Sequence, residues 1–142
     1  MQINKFTDYG FRVLIYLARQ QAQSHTIASL ANALQLSQNH LVKIVHFMAK
    51  QQWLITSRGK GGGIRLAENT LDLPLGEMLR TFQSNDPLVN CLSPKCGLQP
   101  QCQLKHLLDN ALEQFYQSLN QYPLRKVISA HSSENIPFIS YL

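Results

Sequence analysis

The sequence predicts a mainly α-helical fold with one small β-hairpin: a winged helix-turn-helix followed by a long C-terminal dimerisation helix. Three observations predict it. Two short helical patterns, 26–34 and 37–48, are separated only by Gln35 and Leu36. After them, Trp53–Thr56 and Ile64–Leu66 flank a tip made almost wholly of glycine and cations. Residues 104–122 then repeat apolar side chains at helical spacing for longer than any other segment.

Taken in order, residues 5–19 place Phe11, Leu14, Ile15, Leu17 and Ala18 on a helical stripe, with Thr7 or Asp8 as the expected cap. The polar stretch Gln20–His25 ends it. Thr26 precedes Ile27, Leu30, Ala31 and Leu34 and is the expected N-cap of a second helix. Ser37 opens a third, whose inward stripe is Leu41, Ile44, Val45 and Met48. Trp53-Leu54-Ile55-Thr56 is aromatic and β-branched, as a strand requires. Arg58-Gly-Lys-Gly-Gly-Gly63 is a hairpin tip, and Ile64-Arg65-Leu66 the returning strand. Pro74–Phe82 predicts a short helix with Leu75, Met78 and Leu79 on one side; residues 88–102 predict a loop. In the last helix, Leu104, Leu107, Leu108, Ala111, Leu112, Phe115 and Leu119 form an apolar stripe that needs a partner. A second subunit is the expected partner, and the chain's own winged helix the alternative. The tail after about Tyr122 is weakly patterned and is expected to be partly disordered.

Charge divides the chain. Residues 1–66 hold eight Lys/Arg and one acid, Asp8, whereas 67–142 hold five Lys/Arg and seven acids. A basic half facing a polyanion is the expected use of such a split. The third helix presents Gln38, Asn39, His40 and Lys43 outward, groups that reach base edges and phosphates in a major groove. At the hairpin tip, Arg58 suits a narrow minor groove, and Lys60 and Arg65 suit phosphates. The Gly-x-x-x-x-Gly-Lys-Ser/Thr pattern of a nucleotide loop is absent. The expected organisation is a DNA-binding domain over 1–72 and a cysteine loop with dimerisation helix over 73–142. The expected partner is double-stranded DNA.

The chain's three cysteines, Cys91, Cys96 and Cys102, lie within twelve residues. An odd number leaves a thiol unpaired in any disulfide scheme. Short Pro- and Gly-containing connections let the thiolates converge on one point, as a metal or iron–sulfur cluster requires. No apolar run reaches the ~18 residues of a membrane span, and the first residues show no export signal, so no membrane role and a cytoplasmic location are expected.

Phe6-Thr-Asp-Tyr-Gly-Phe-Arg12, Ser37-Gln-Asn-His-Leu-Val-Lys-Ile44 and Arg58-Gly-Lys-Gly-Gly-Gly-Ile-Arg-Leu66 resemble the Rrf2 family of bacterial transcription regulators. Leu88-Val-Asn-Cys91, the Cys-x4-Cys-x5-Cys spacing and Cys102-Gln-Leu-Lys105 resemble its nitric-oxide-sensing repressors. The resemblance runs from residue 1 to about 125. It implies a homodimer holding one iron–sulfur cluster per subunit, [4Fe-4S] or [2Fe-2S], through Cys91, Cys96 and Cys102. It implies an operator that is released when nitric oxide nitrosylates the cluster. It also implies a fourth ligand, Asp8 of the partner subunit, the only acid among residues 1–66. The alternative role of Asp8 is to cap its helix or pair with Arg12. A related iron–sulfur regulator uses a His three residues after the third Cys; here that residue is Lys105, and His106 lies one further.

A zinc-stabilised DNA-binding protein would use Cys91, Cys96, Cys102 and His106, but these lack the usual paired knuckles. A thiol redox sensor would draw on Lys95 and Lys105 to favour thiolates. A regulator of iron–sulfur or redox homeostasis within the same family is a further reading. No Gly-x-Ser-x-Gly elbow or paired-carboxylate motif points to an enzyme.

Overall fold

The computed structural model describes residues 2–84 and 86–128. Its elements are α1 (Lys5–Arg19), α2 (Ile27–Leu34), α3 (Gln38–Lys50), β1 (Leu54–Ser57), β2 (Gly63–Leu66), a 3-10 helix (Glu68–Asp72), α4 (Leu75–Phe82), α5 (Leu104–Asn120) and α6 (Leu124–Ile128). The fold is mainly helical with a two-stranded wing, as the sequence predicts.

Caps explain where the first three helices begin. Asn4, rather than Thr7 or Asp8, caps α1: its side chain accepts from the Thr7 amide at 2.8 Å. Thr7 is fully buried and its hydroxyl donates to Gln83 at 2.9 Å, tying α1 to the end of α4. Thr26 caps α2 in a reciprocal capping box with Ser29. Ser37 caps α3, its hydroxyl accepting from the His40 amide. Between α2 and α3 the chain reverses at Gln35, which adopts a left-handed conformation at φ 53. Each such cap contributes about 1 kcal/mol.

The hairpin is antiparallel, with Leu54 opposite Leu66 and Ser57 opposite Gly63. Trp53 lies outside the strand: its carbonyl accepts from the Ala67 amide and from the buried Thr70 hydroxyl. His25 exchanges backbone hydrogen bonds with Ile64, which stitches the wing to the α1–α2 connection. At the tip, Gly59 and Gly61 have φ of 90 and 81. A Cβ on Gly62 would lie 2.5 Å from the Ser57 carbonyl oxygen.

Leu14, Leu17, Leu30, Leu41, Ile44 and Met48 form one core with Trp53, Ile64, Met78, Phe82 and Leu124. The α3 stripe read from the sequence is therefore the buried face. Phe82 is its hub, with ring centroids 5.4 Å from Phe11, 5.4 Å from Phe47 and 5.1 Å from Trp53. Leu124 is fully buried and its amide donates to the Leu73 carbonyl, so α6 belongs to this core although its sequence is weakly patterned. The expected disorder further along the tail, from residue 129, falls outside the described residues.

On α5 the buried residue is Tyr116, which the predicted stripe omits. It packs on α4, where Arg80 lies 4.4 Å above its ring and Gly76 allows close approach to its carbonyl. Asn120 supplies the cap that Pro74 cannot, accepting from the Glu77 amide at 2.8 Å. Leu104 and Leu107, at the other end of α5, are 56% and 67% exposed. The helix thus leans on its own chain through Tyr116 and leaves the start of the apolar stripe open.

Candidate functional site

The first constellation is built on α3 and the wing. Burial of Leu41, Ile44, Val45 and Met48 turns Gln38, Asn39, His40 and Lys43 to solvent. His40 leans towards α1, with its ring 5.9 Å from Tyr9. Val42, 53% exposed, and His46 complete the outward face; sequence reasoning missed both. Extending the i, i+3, i+4, i+7 stripe from Asn39 would have found them. Val42 is the apolar member of a polar face, the kind of group that touches a thymine methyl.

On the wing, Arg58 and Lys60 stand exposed at the tip. Arg65 is exposed on β2, and its Nε donates to the Ser24 hydroxyl at 2.8 Å. That bond aims Arg65 from the base of the wing rather than from its tip. Among the described residues the ion pairs take up Arg12, Arg80, Lys105 and Arg125. Lys43, Arg58, Lys60 and Arg65 are in none of them, so their charge is available to a polyanion.

The second constellation is the loop between α4 and α5. Cys91, Cys96 and Cys102 are free and half-buried. They line one cavity of about 300 Å³ together with Gln99, Pro100, Lys105 and His106. Turns hold the loop: the Cys96 amide donates to the Cys91 carbonyl at 3.1 Å, and the Cys102 amide to the Leu98 carbonyl at 3.1 Å. Lys105 pairs with Asp109 one turn along α5.

The short connections do not bring the thiols to a single point. Among the described residues no three His, Cys, Asp or Glu side chains group as ligands of one metal ion. A Cys3His zinc site is therefore not preassembled. Three thiols fronting one cavity fit the donor chemistry of an iron–sulfur cluster, which thiolates would hold. The two candidates for a fourth ligand differ in place. His106 lies in the cysteine cavity of the same chain. Asp8 accepts from Arg12 Nε at 3.0 Å and Nη2 at 2.9 Å, the i, i+4 pairing weighed as its alternative role. That hydrogen-bonded carboxylate raises the Arg12 pKa above its ordinary value.

A helix-turn-helix with a stitched basic wing, followed by a cysteine loop and a long helix, defines a protein of the winged-helix regulator class. The Rrf2 family model, described as an iron-dependent transcriptional regulator, matches residues 3–130, and the chain belongs to the Rrf2 family. The HTH-type transcriptional regulator NsrR of Oceanobacillus iheyensis is 35% identical over 132 residues, which is 90% of each chain. Among solved structures, CymR, the global cysteine regulator of B. subtilis, superposes with a TM-score of 0.72 at 20% identity, covering 91% of this chain and 97% of that one. T. potens IscR gives a TM-score of 0.69 at 17% identity, covering 95% and 92%. The two structures share the fold. Among the described residues no helix is long and apolar enough to cross a membrane.

Proposed function

We propose that this transcriptional regulator is a homodimeric, DNA-binding repressor that senses nitric oxide through an iron–sulfur cluster on Cys91, Cys96 and Cys102, one per subunit. One observation carries the reading: the chain's only three thiols line a single cavity in a chain 35% identical to NsrR. When bound, the cluster supplies iron open to attack by nitric oxide. The chain's own residues do the rest. Residues 1–72 read the operator, with Gln38, Asn39, His40 and Lys43 in the major groove and Arg58, Lys60 and Arg65 on the minor groove and backbone. Residues 73–142 hold the cluster and the dimer contact, where the exposed Leu104 and Leu107 find a partner.

In this reading the partner subunit's Asp8 would be the fourth residue to hold the cluster. A carboxylate is a harder, weaker ligand for iron than a thiolate, so its position is the exchangeable one. To hold the cluster Asp8 would have to leave Arg12, and the two reading heads would then be tied through the loop. The packing supports transmission. Phe82 and Gln83, just before the loop, touch Phe47 of α3 and Thr7 of α1.

A second reading, a family regulator of iron–sulfur or redox homeostasis, is favoured by His106, which lines the cysteine cavity within the same chain. One preparation tests both. Anaerobically purified protein should be brown, contain iron and sulfide, and release an operator duplex when titrated with nitric oxide. A colourless protein with stoichiometric zinc overturns the cluster. Release by peroxide but not by nitric oxide favours the second reading.

A further inference from the structure

We propose that the crevice between the N-terminal turns of α1 and α3 is a phosphate-binding site for the DNA backbone, which adds Lys5 to the DNA-facing surface. The proposal rests on the reading that α3 enters the major groove. The crevice has a volume of about 170 Å³ and is lined by Lys5, Phe6, Tyr9, His40, Lys43 and Ile44. Two of those residues are lysines and none is an acid. The nearest carboxylate along α1, Asp8, accepts at both of its oxygens from Arg12 Nε and Nη2. Lys5 and Lys43 are exposed, and among the described residues neither joins an ion pair.

The wall is mostly apolar, with Phe6 and Ile44 among its residues. Beside such walls a cation's field is less screened than over open water. Tyr9 and His40, with rings 5.9 Å apart, also line it. Two lysines that join no ion pair among the described residues, at a crevice lined by no acid, match a phosphate oxygen. Lys43 already belongs to the reading face of α3. Lys5 shares its crevice from another helix, so a phosphate held there would fix the angle of α3 in the groove without reading a base. Free inorganic phosphate has the same chemistry, and the test separates it from the duplex.

Full-length wild type, Lys5→Gln, Lys5→Arg and Lys43→Gln are titrated with a duplex selected in vitro by the wild type, at salt from roughly 50 to 200 mM. Lys5→Gln should lower the slope of log affinity against log salt by about 0.9, so its deficit shrinks about 3.5-fold across that range. The deficit should be equal on a scrambled duplex, and Lys5→Arg should restore it. If Lys43→Gln lowers the slope and Lys5→Gln does not, the crevice proposal fails and the α3 reading stands. If neither does, the α3 reading itself fails. An inhibition specific to added inorganic phosphate, with an unchanged slope in Lys5→Gln, assigns the crevice to the free anion and overturns the duplex proposal.

Discussion

Gly10 of α1 presses against the ring of Phe82 at the end of α4: a Cβ on Gly10 would lie 2.4 Å from Phe82 Cζ. Helix propensity alone would make Gly10→Ala stabilising by up to about 1 kcal/mol. Overpacking costs about 1–3 kcal/mol, because Phe82 is also held by Phe11, Phe47 and Trp53 and has no room to retreat. The clash should win. Gly10→Ala is expected to lower the urea midpoint, and Phe82→Leu in the same chain to recover part of the loss, a non-additive pair. A stabilised Gly10→Ala would show that the ring can move aside.

That relationship marks the limit of what the sequence makes legible. Thr26 and Ser37 act through neighbours three residues away, and both can be read as caps. The alternation of the wing and the α3 stripe are equally local. Gly10 carries no such signal, because its constraint is a ring seventy-two residues further along. Tyr116 escapes the apolar stripe because a cation–π partner and a glycine on α4 make its burial favourable, and neither is visible in its own helix. At the candidate site, residue types and spacing are legible. The shared cavity of the thiols and the bond from Arg65 to Ser24 are not, because loop turns and tertiary packing set them.

Base reading and backbone contact should separate by mutation. Gln38→Ala and Asn39→Ala remove amides from the exposed face of α3; each is expected to cost about 1–3 kcal/mol on the selected operator and little on scrambled DNA. Lys60→Ala at the wing tip and Arg65→Ala at its base are expected to weaken both duplexes alike. Each should also reduce the salt slope by about one. Affinity measured on both duplexes at three salt concentrations checks this. Equal losses from all four variants would mean that α3 does not read bases.

The α4–α5 contact should have an edge at each end of the pH scale. Glu113 is held below the ordinary carboxylate pKa, first by its hydrogen bond from Gln117 and then by that from Arg80 at 2.7 Å. A depressed carboxylate adds stability above its unfolded pKa of about 4.3 and loses it as pH falls through the lower folded value. Burial raises the Tyr116 phenol above its ordinary pKa. A raised group stabilises below its unfolded pKa of about 10, and that stability is lost as pH rises through the folded one. Urea unfolding across pH should fall off on both sides. Glu113→Gln should flatten the acid limb and Tyr116→Phe the alkaline limb. A swap of those effects would contradict the assignment.

The fourth ligand can be decided by pairing two substitutions with two readouts. Cys91→Ser, Cys96→Ser and Cys102→Ser lie in a half-exposed loop outside the core, so each should leave thermal unfolding of the metal-free chain unchanged. Each should sharply reduce bound iron and sulfide. Asp8→Ala and His106→Ala then divide the readings. If the partner subunit's Asp8 is the ligand, Asp8→Ala alters the cluster's visible spectrum, weakens operator binding by the loaded dimer and changes its response to nitric oxide; His106→Ala does none of these. If His106 is the ligand, the pattern reverses, and Asp8→Ala merely releases Arg12. Asp8→Ala therefore needs Arg12→Ala as its companion, because loss of the Arg12 pair alone also changes the surface of α1. An operator affinity that falls with Asp8→Ala but not with Arg12→Ala assigns the effect to the carboxylate's bond to iron. Equal falls assign it to the surface of α1, where Asp8 and Arg12 pair, and not to a bond to iron.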